Sequence, residues 1–263
     1  MTATWSRALI TGASTGIGRA LAVQLASEGV DLVVVARGVE RLDDLAKELT
    51  VTHGVAVEVV AADLTAADGL RRVEERLLAE PTIDLLVNNA GFGTYGPLVE
   101  LDLETEVNEI ELNVVALVRL TRTVLPRMVE HGQGWILNVS SIASLHPTPG
   151  HATYGATKSF VTSFSESVHE EVRGTGVRVT AVLPGHTRTE FQERAELTDM
   201  SKIPNLLWQT AEACAAESLA GARAGRAVVV TGRVNQVAAA GSSVLPRSVK
   251  RRVVRAVSGR LSG

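Results

Sequence analysis

Short apolar runs rich in β-branched residues recur at 8–10, 32–35, 57–60, 83–87, 135–139, 177–182 and 227–230. Each is too short for a helix and is bounded by polar or glycine-containing stretches, so each reads as a strand. Between them, at 20–27, 41–49, 70–78, 112–129, 160–172 and 211–219, apolar residues return at helical spacing. Strands that alternate with helices, and that are apolar on both faces, predict a doubly wound α/β fold: a seven-stranded parallel sheet with helices on both sides. No internal repeat or low-complexity linker interrupts the pattern, so one domain is expected over 1–233, followed by an extension at 234–263.

Composition is consistent with this reading. The 263 residues, 45% of them hydrophobic, suffice for one large core. Cys214 is the only cysteine, so no intrachain disulfide can form, and among alanines it reads as a small helical core residue suited to a reducing cytoplasm. Neither a secretion signal nor an apolar run of membrane-spanning length is visible, and a soluble cytoplasmic protein is expected. Charge is unevenly spread. Glu217 is the last acidic residue, and nine basic residues follow it, which leaves a tail of +9 on a body of −12. Within that tail Val249, Val253, Val254, Val257 and Leu261 alternate with Arg247, Lys250, Arg251, Arg252 and Arg255, the pattern of a basic amphipathic helix. Such a helix can pack on its own domain, on a second subunit, or, across 246–263, on an anionic membrane surface. Nucleic acid is disfavoured by the acidic body and the lack of a recognition motif.

The first strand leads into Thr11-Gly12-Ala13-Ser14-Thr15-Gly16-Ile17-Gly18. Glycines at a strand-to-helix turn let a pyrophosphate approach the backbone and sit at the helix N-terminus, although a purely structural turn would use them too. About 20 residues further on, where an acidic side chain would bind the ribose hydroxyls of NAD, the chain has Arg37. A guanidinium there suits a ribose 2′-phosphate and so favours NADP(H) over NAD(H), the plainer alternative being a solvated turn.

Tyr154 and Lys158 are four residues apart, so on a helix they share a face, and Ser141 precedes them by thirteen residues. A nearby ammonium is expected to draw a phenol's pKa down toward proton transfer with an alcohol or carbonyl oxygen, which Ser141 can orient. In isolation the pair also fits an exposed tyrosine beside a solvated lysine.

Taken in order, the glycine-rich turn, Asp63, Asn88-Asn89-Ala90-Gly91, Asn113, Ser141, Tyr154-x-x-x-Lys158 and Pro184-Gly185 resemble the short-chain dehydrogenase/reductase family over nearly all of the first 190 positions. The resemblance implies a catalytic set of Asn113, Ser141, Tyr154 and Lys158. It also implies a cofactor site built from Gly12, Ser14, Thr15, Gly16, Ile17, Gly18, Arg37, Asp63, Leu64, Asn89, Ala90, Gly91, Tyr154, Lys158, Pro184, Gly185, Thr187 and Thr189. Asp63 and Leu64 would contact adenine, and Asn113 would join a water chain to Lys158. Asp63 can equally cap a helix beginning at Leu64.

The substrate is expected to be an apolar carbonyl compound, such as a 3-oxoacyl, steroid-like or other lipophilic ketone, held by Tyr95, Ser141, Ile142, Leu145, His151, Tyr154 and Phe191, with 186–210 as its binding segment. His146, His151 and His186 lack metal-ligand spacing, so no metal is expected. Homodimers or homotetramers are implied, built through 112–129 and 160–172. The alternatives are a non-catalytic NADP-binding sensor or scaffold, and an epimerase or dehydratase. The first has no need for the four catalytic residues, and the second would usually require a longer chain.

Overall fold

Side-chain alternation along the first strand, β1 (Arg7–Thr11), decides what it packs against. Leu9 joins one core with Val33, Leu86, Leu120 and Ile136, while Ala8 and Ile10 join another with Val34, Val87, Leu21 and Leu25. With a core on each face, the strand has no place for a polar stripe. The same holds for β2 (Asp31–Ala36), β4 (Leu85–Asn88) and β5 (Gly134–Val139), while β6 (Val177–Leu183) sets Arg178 and Thr180 on one face before Val182 joins its core. With β3 (Val57–Ala61) and a late strand, β9 (Val228–Val230), they form one parallel sheet in the order β3-β2-β1-β4-β5-β6-β9. All seven expected strands are present. Chain direction across the sheet reverses between β1 and β4, which opens a crevice at their carboxyl ends.

This computed structural model describes residues 5–190 and 205–243, together with Ser248, Val249 and Arg252. Phe191, most of the expected 186–210 binding segment and the remainder of 244–263 lie outside the described residues. No described helix is long and apolar enough to cross a membrane.

The expected helices are α1 (Gly16–Ser27), α2 (Val39–His53), α3 (Ala67–Leu78), α5 (Leu117–Glu130), α6 (Ala152–Glu171) and α7 (Ala211–Arg223). The start of α6 carries little apolar signal because its first two turns hold the polar residues Thr153, Tyr154, Thr157, Lys158 and Ser159. The fourth strand starts at Leu85 and not at Ile83. Asp84 intervenes, and its carboxylate accepts from Ser6 N at 2.7 Å and Arg7 N at 3.0 Å.

Several elements went unanticipated. Helix α4 (Leu103–Ile110), whose N-cap Asp102 accepts from Thr105 N at 2.8 Å, exposes Leu103, Val107 and Ile110 and buries Glu106 and Glu109, which inverts the usual pattern. It runs through a π-helical turn (Glu111–Ala116) into α5. A parallel ribbon of β7 (His186–Arg188) and β8 (Trp208–Thr210) brackets the expected substrate-binding segment, and α8 (Arg233–Ser243) follows the last strand.

Candidate active site

The turn after β1 is built for close backbone approach. Gly12 and Gly16 have φ of +65° and +55°, which L side chains rarely adopt. A Cβ on Gly18 would lie 2.2 Å from Gly12 O and 2.5 Å from Asn89 Nδ2. Asn89 Nδ2 itself donates to Thr11 O at 2.9 Å, and Thr11 Oγ1 accepts from Asn89 N and Ala90 N, both at 3.0 Å, so the turns after β1 and β4 are tied together. Helix α1 has neither an acidic residue in its first turn nor a side-chain cap, which leaves its N-terminal dipole to an anion. Thr189 stands across from it: a Cβ on Gly16 would lie 3.1 Å from the Thr189 side chain. These features fit the phosphates of a dinucleotide. Gly18→Ala is therefore expected to weaken NADPH binding by roughly 100-fold or more, as it drives a methyl group into backbone at the phosphate turn; fluorescence titration of NADPH would measure this.

At the adenosine end, Arg37 is exposed directly after β2 and makes no hydrogen bond or ion pair among the described residues. Burial pushes the Asp63 carboxyl up, but hydrogen bonds from Thr65 and the nearby Arg37 guanidinium outweigh it and hold the group below its ordinary value. Asp63 does not cap a helix starting at Leu64. It accepts from Thr65 N at 3.0 Å and Thr65 Oγ1 at 2.7 Å, closing a local turn, and α3 begins only at Ala67.

Ser141 follows β5 and Tyr154 lies in the first turn of α6; their side chains are hydrogen-bonded. Lys158, one turn further along, is buried, and its Nζ donates to Val139 O at 2.9 Å and lies 5.7 Å from the centre of the Tyr154 ring. The expected fall in the tyrosine's pKa is not what the structure gives. Burial pushes the phenol up to about 12, against the Ser141 hydrogen bond and with a contribution from Glu109. Burial likewise brings Lys158 down to about 8, with Glu109 opposing. Desolvation is the largest influence on both groups, and it holds Tyr154 as the neutral acid.

Asn113 sits in the π turn and is buried. Its amide is anchored by protein: Nδ2 donates to Phe92 O at 2.9 Å and Thr157 Oγ1 at 3.1 Å, and Oδ1 accepts from Phe92 N at 3.2 Å. π turns of this kind are frequent at functional sites. A Cβ on Gly91 would meet Asn113 Oδ1 at 2.7 Å and Lys158 Nζ at 3.3 Å, so the turn after β4 needs glycine where it passes the pair.

Along the expected substrate wall, His151 links Tyr95 and Tyr154, with ring centroids 4.8 Å and 6.0 Å away, and its Nδ1 is 2.6 Å from Thr94 O. Burial holds the His151 pKa down. Ile142 and Leu145, in a short 3-10 turn after Ser141, are half-buried. His186 opens β7 and packs on Trp208. Thr187 is buried there, donating to Gly185 O and accepting from Gln209 Nε2, both at 3.0 Å. The bend at Pro184-Gly185 packs against α8: a Cβ on Gly185 would lie 1.9 Å from Asn235 Nδ2. Neither Gln209 nor Asn235 carried a motif. Glu106 and Glu109, buried behind Tyr154, were hidden in a stretch that reads as a solvated charged face.

A parallel sheet with a glycine cradle at its switch point and a Ser–Tyr–Lys cluster beside it defines a dinucleotide-linked oxidoreductase class of site. The comparisons agree. Residues 6–199 match the family described as short chain dehydrogenase, and the chain belongs to that family. It is 36% identical to a short-chain dehydrogenase from Sphingobium yanoikuyae in complex with NADPH, covering 98% of this chain and 95% of that one at a TM-score of 0.82. It is 31% identical to the bulky-bulky ketone specific alcohol dehydrogenase from Comamonas testosteroni, covering 99% and 95% at a TM-score of 0.78. With the very-long-chain 3-oxoacyl-CoA reductase of Anas platyrhynchos it shares 35% identity over 190 residues, which are 71% of this chain and 61% of the reductase. The chain thus spans less than two thirds of that relative's length.

Proposed function

We propose that this protein is an NADP(H)-dependent oxidoreductase that interconverts a lipophilic ketone and its alcohol. The observation that carries the reading is the neutral Tyr154 phenol bonded to Ser141, with Lys158 one turn away and the phosphate cradle beside them. NADPH, when bound, supplies the hydride. Gly12, Ser14, Thr15, Gly16, Ile17 and Gly18 would hold its phosphates, with Thr189 facing them. Arg37 would take the 2′-phosphate, Asp63 and Leu64 the adenine, and Asn89, Ala90, Gly91, Pro184, Gly185 and Thr187 the path to the nicotinamide. Tyr154 gives its proton to the carbonyl oxygen, Ser141 donates a hydrogen bond to the same atom, and Lys158 holds a positive charge beside them and binds ribose hydroxyls. Asn113 keeps the turn at Phe92 in place.

With Phe191 the further residue expected to contact the substrate, Tyr95, Ile142, Leu145 and His151 form the substrate wall in this reading. Its apolar character, together with relatives that act on bulky ketones or very-long-chain 3-oxoacyl-CoA, supports a large apolar substrate. A homodimer or homotetramer in the cytoplasm belongs to the same proposal. It is supported by the exposed side chains of Val129 and Phe160 on the two helices expected to pair, and by those of Val107 and Ile110 on α4, which leads into the first of them. Contact of 246–263 with a membrane surface would suit such a substrate. The test is an NADPH-oxidation screen over 3-oxoacyl thioesters, steroid ketones, bulky aryl ketones and short aldehydes, with NADH in parallel. Turnover of a lipophilic ketone with preference for NADPH is expected; preference for NADH would overturn the role of Arg37.

A further inference from the structure

Glu109 is a fully buried carboxylate that the mechanism above does not use. One of its oxygens, Oε2, accepts from Thr94 N at 3.1 Å and lies 3.2 Å from Thr94 Oγ1; the other, Oε1, is buried with no hydrogen-bond partner among the described residues. Thr94 Oγ1 also donates to Glu106 Oε1, and Thr153, the residue before Tyr154, donates to Glu106 Oε2. The threonine hydroxyl has one hydrogen for two carboxylates, so the second contact favours a proton on the acidic pair.

Position makes this more than a buried polar knot. Glu109 and Asn113 are one turn apart along the same helix and both hold the turn that follows β4, Asn113 at Phe92 and Glu109 at Thr94. Between those two anchors lies Gly93, where a Cβ would sit 2.7 Å from Cδ2 of the Tyr154 ring. The charged and titratable groups around Glu109 are Glu106 on its own helix, Tyr154 and Lys158 on α6, and, through Thr94, His151. Burial pushes its carboxyl up to about 7, with Thr94 opposing, Glu106 adding to the rise and Lys158 opposing.

We propose that Glu109 is a positioning residue for the Tyr154–Lys158 pair: its carboxyl pins Thr94 so that the turn packs on the tyrosine ring and, once ionised, supplies the negative charge that both groups feel. This inference rests on the oxidoreductase reading. With the charge present, Lys158 keeps its proton to higher pH and Tyr154 stays neutral to higher pH, and both are the forms needed for ketone reduction.

Two variants separate reach from charge. Glu109→Gln keeps an acceptor for Thr94 N and loses the charge, so the alkaline limb of kcat for reduction is expected to move down by on the order of one pH unit with NADPH binding unchanged. Glu109→Asp keeps the charge and loses the reach, so kcat is expected to fall on the order of tenfold with the alkaline limb in place. A wild-type alkaline limb in Glu109→Gln, or a wild-type kcat in Glu109→Asp, overturns the proposal. If the wild-type protein oxidises NADPH with no carbonyl compound, the oxidoreductase reading fails separately, and melting temperatures decide the charge. Glu109→Gln is expected to gain on wild type as pH rises from 5 to 8, because the wild-type carboxyl must ionise while buried; a constant difference overturns the inference.

Discussion

Replacing Tyr154 with phenylalanine is expected to lower kcat for ketone reduction by roughly 10³-fold or more while leaving the NADPH dissociation constant within about twofold. The substitution removes one oxygen and leaves the ring, which carries the packing contacts with Gly93 and His151. Ser141 keeps its bond to Ala143 N at 3.1 Å, so the segment after β5 stays anchored. What disappears is the phenol hydroxyl that is hydrogen-bonded to Ser141. Because burial keeps the phenol near 12, the group enters reduction fully protonated at neutral pH; alcohol oxidation needs its anion and should accelerate as pH rises. Steady-state kinetics in both directions, with cofactor binding measured separately, check this. Turnover by the phenylalanine variant at the wild-type rate would sink the assignment.

Lys158→Met should be nearly as damaging, with kcat/KM reduced by about 10³-fold, or about 4 kcal/mol of transition-state stabilisation, and with weaker NADPH binding as well. The ammonium is the one buried cation in the cluster, so its loss removes both the charge beside Tyr154 and the donor to Val139 O. Its pKa near 8 gives a second signature. Wild-type reduction should decline as pH rises through about 8, where the lysine loses its proton, and that inflection should be missing from the methionine variant. A pH–rate profile from 6 to 10 for both proteins reads this directly. An inflection that survives the substitution would mean that another group titrates there.

The sheet was legible because burial on both faces leaves a strong mark. Strands such as 32–35 and 135–139 have no polar stripe, and their alternation with helical segments leaves few other architectures. The glycine turn and the shared face of Tyr154 and Lys158 were equally readable, since four residues make about one helical turn, whereas Ser141, thirteen residues earlier, meets Tyr154 only because the end of β5 lies beside α6. The missed features depend on contacts remote in sequence. Helix α4 turns charged residues inward because Thr94 and Thr153 are there to meet them, and nothing within 103–110 announces those partners. Gln209 reads as an ordinary polar residue until Thr187 and Thr231 are brought to its amide. The tyrosine's pKa went the other way for a related reason: sequence spacing supplies the neighbouring charge but says nothing of how dry the site is.

The π turn at Glu111–Ala116 lets one continuous rod serve two masters. Upstream of it, Glu106 and Glu109 face the turn beside Tyr154; downstream, Leu120, Val124 and Met128 face the sheet. A regular α-helix advances about 100° per residue, so without the widened turn one of those two sets would be rotated off its partner. The wide turn is therefore a phase adjuster: it lets the core and the site each choose their own face of the same helix, and a segment transplanted without it would have to give up one of them.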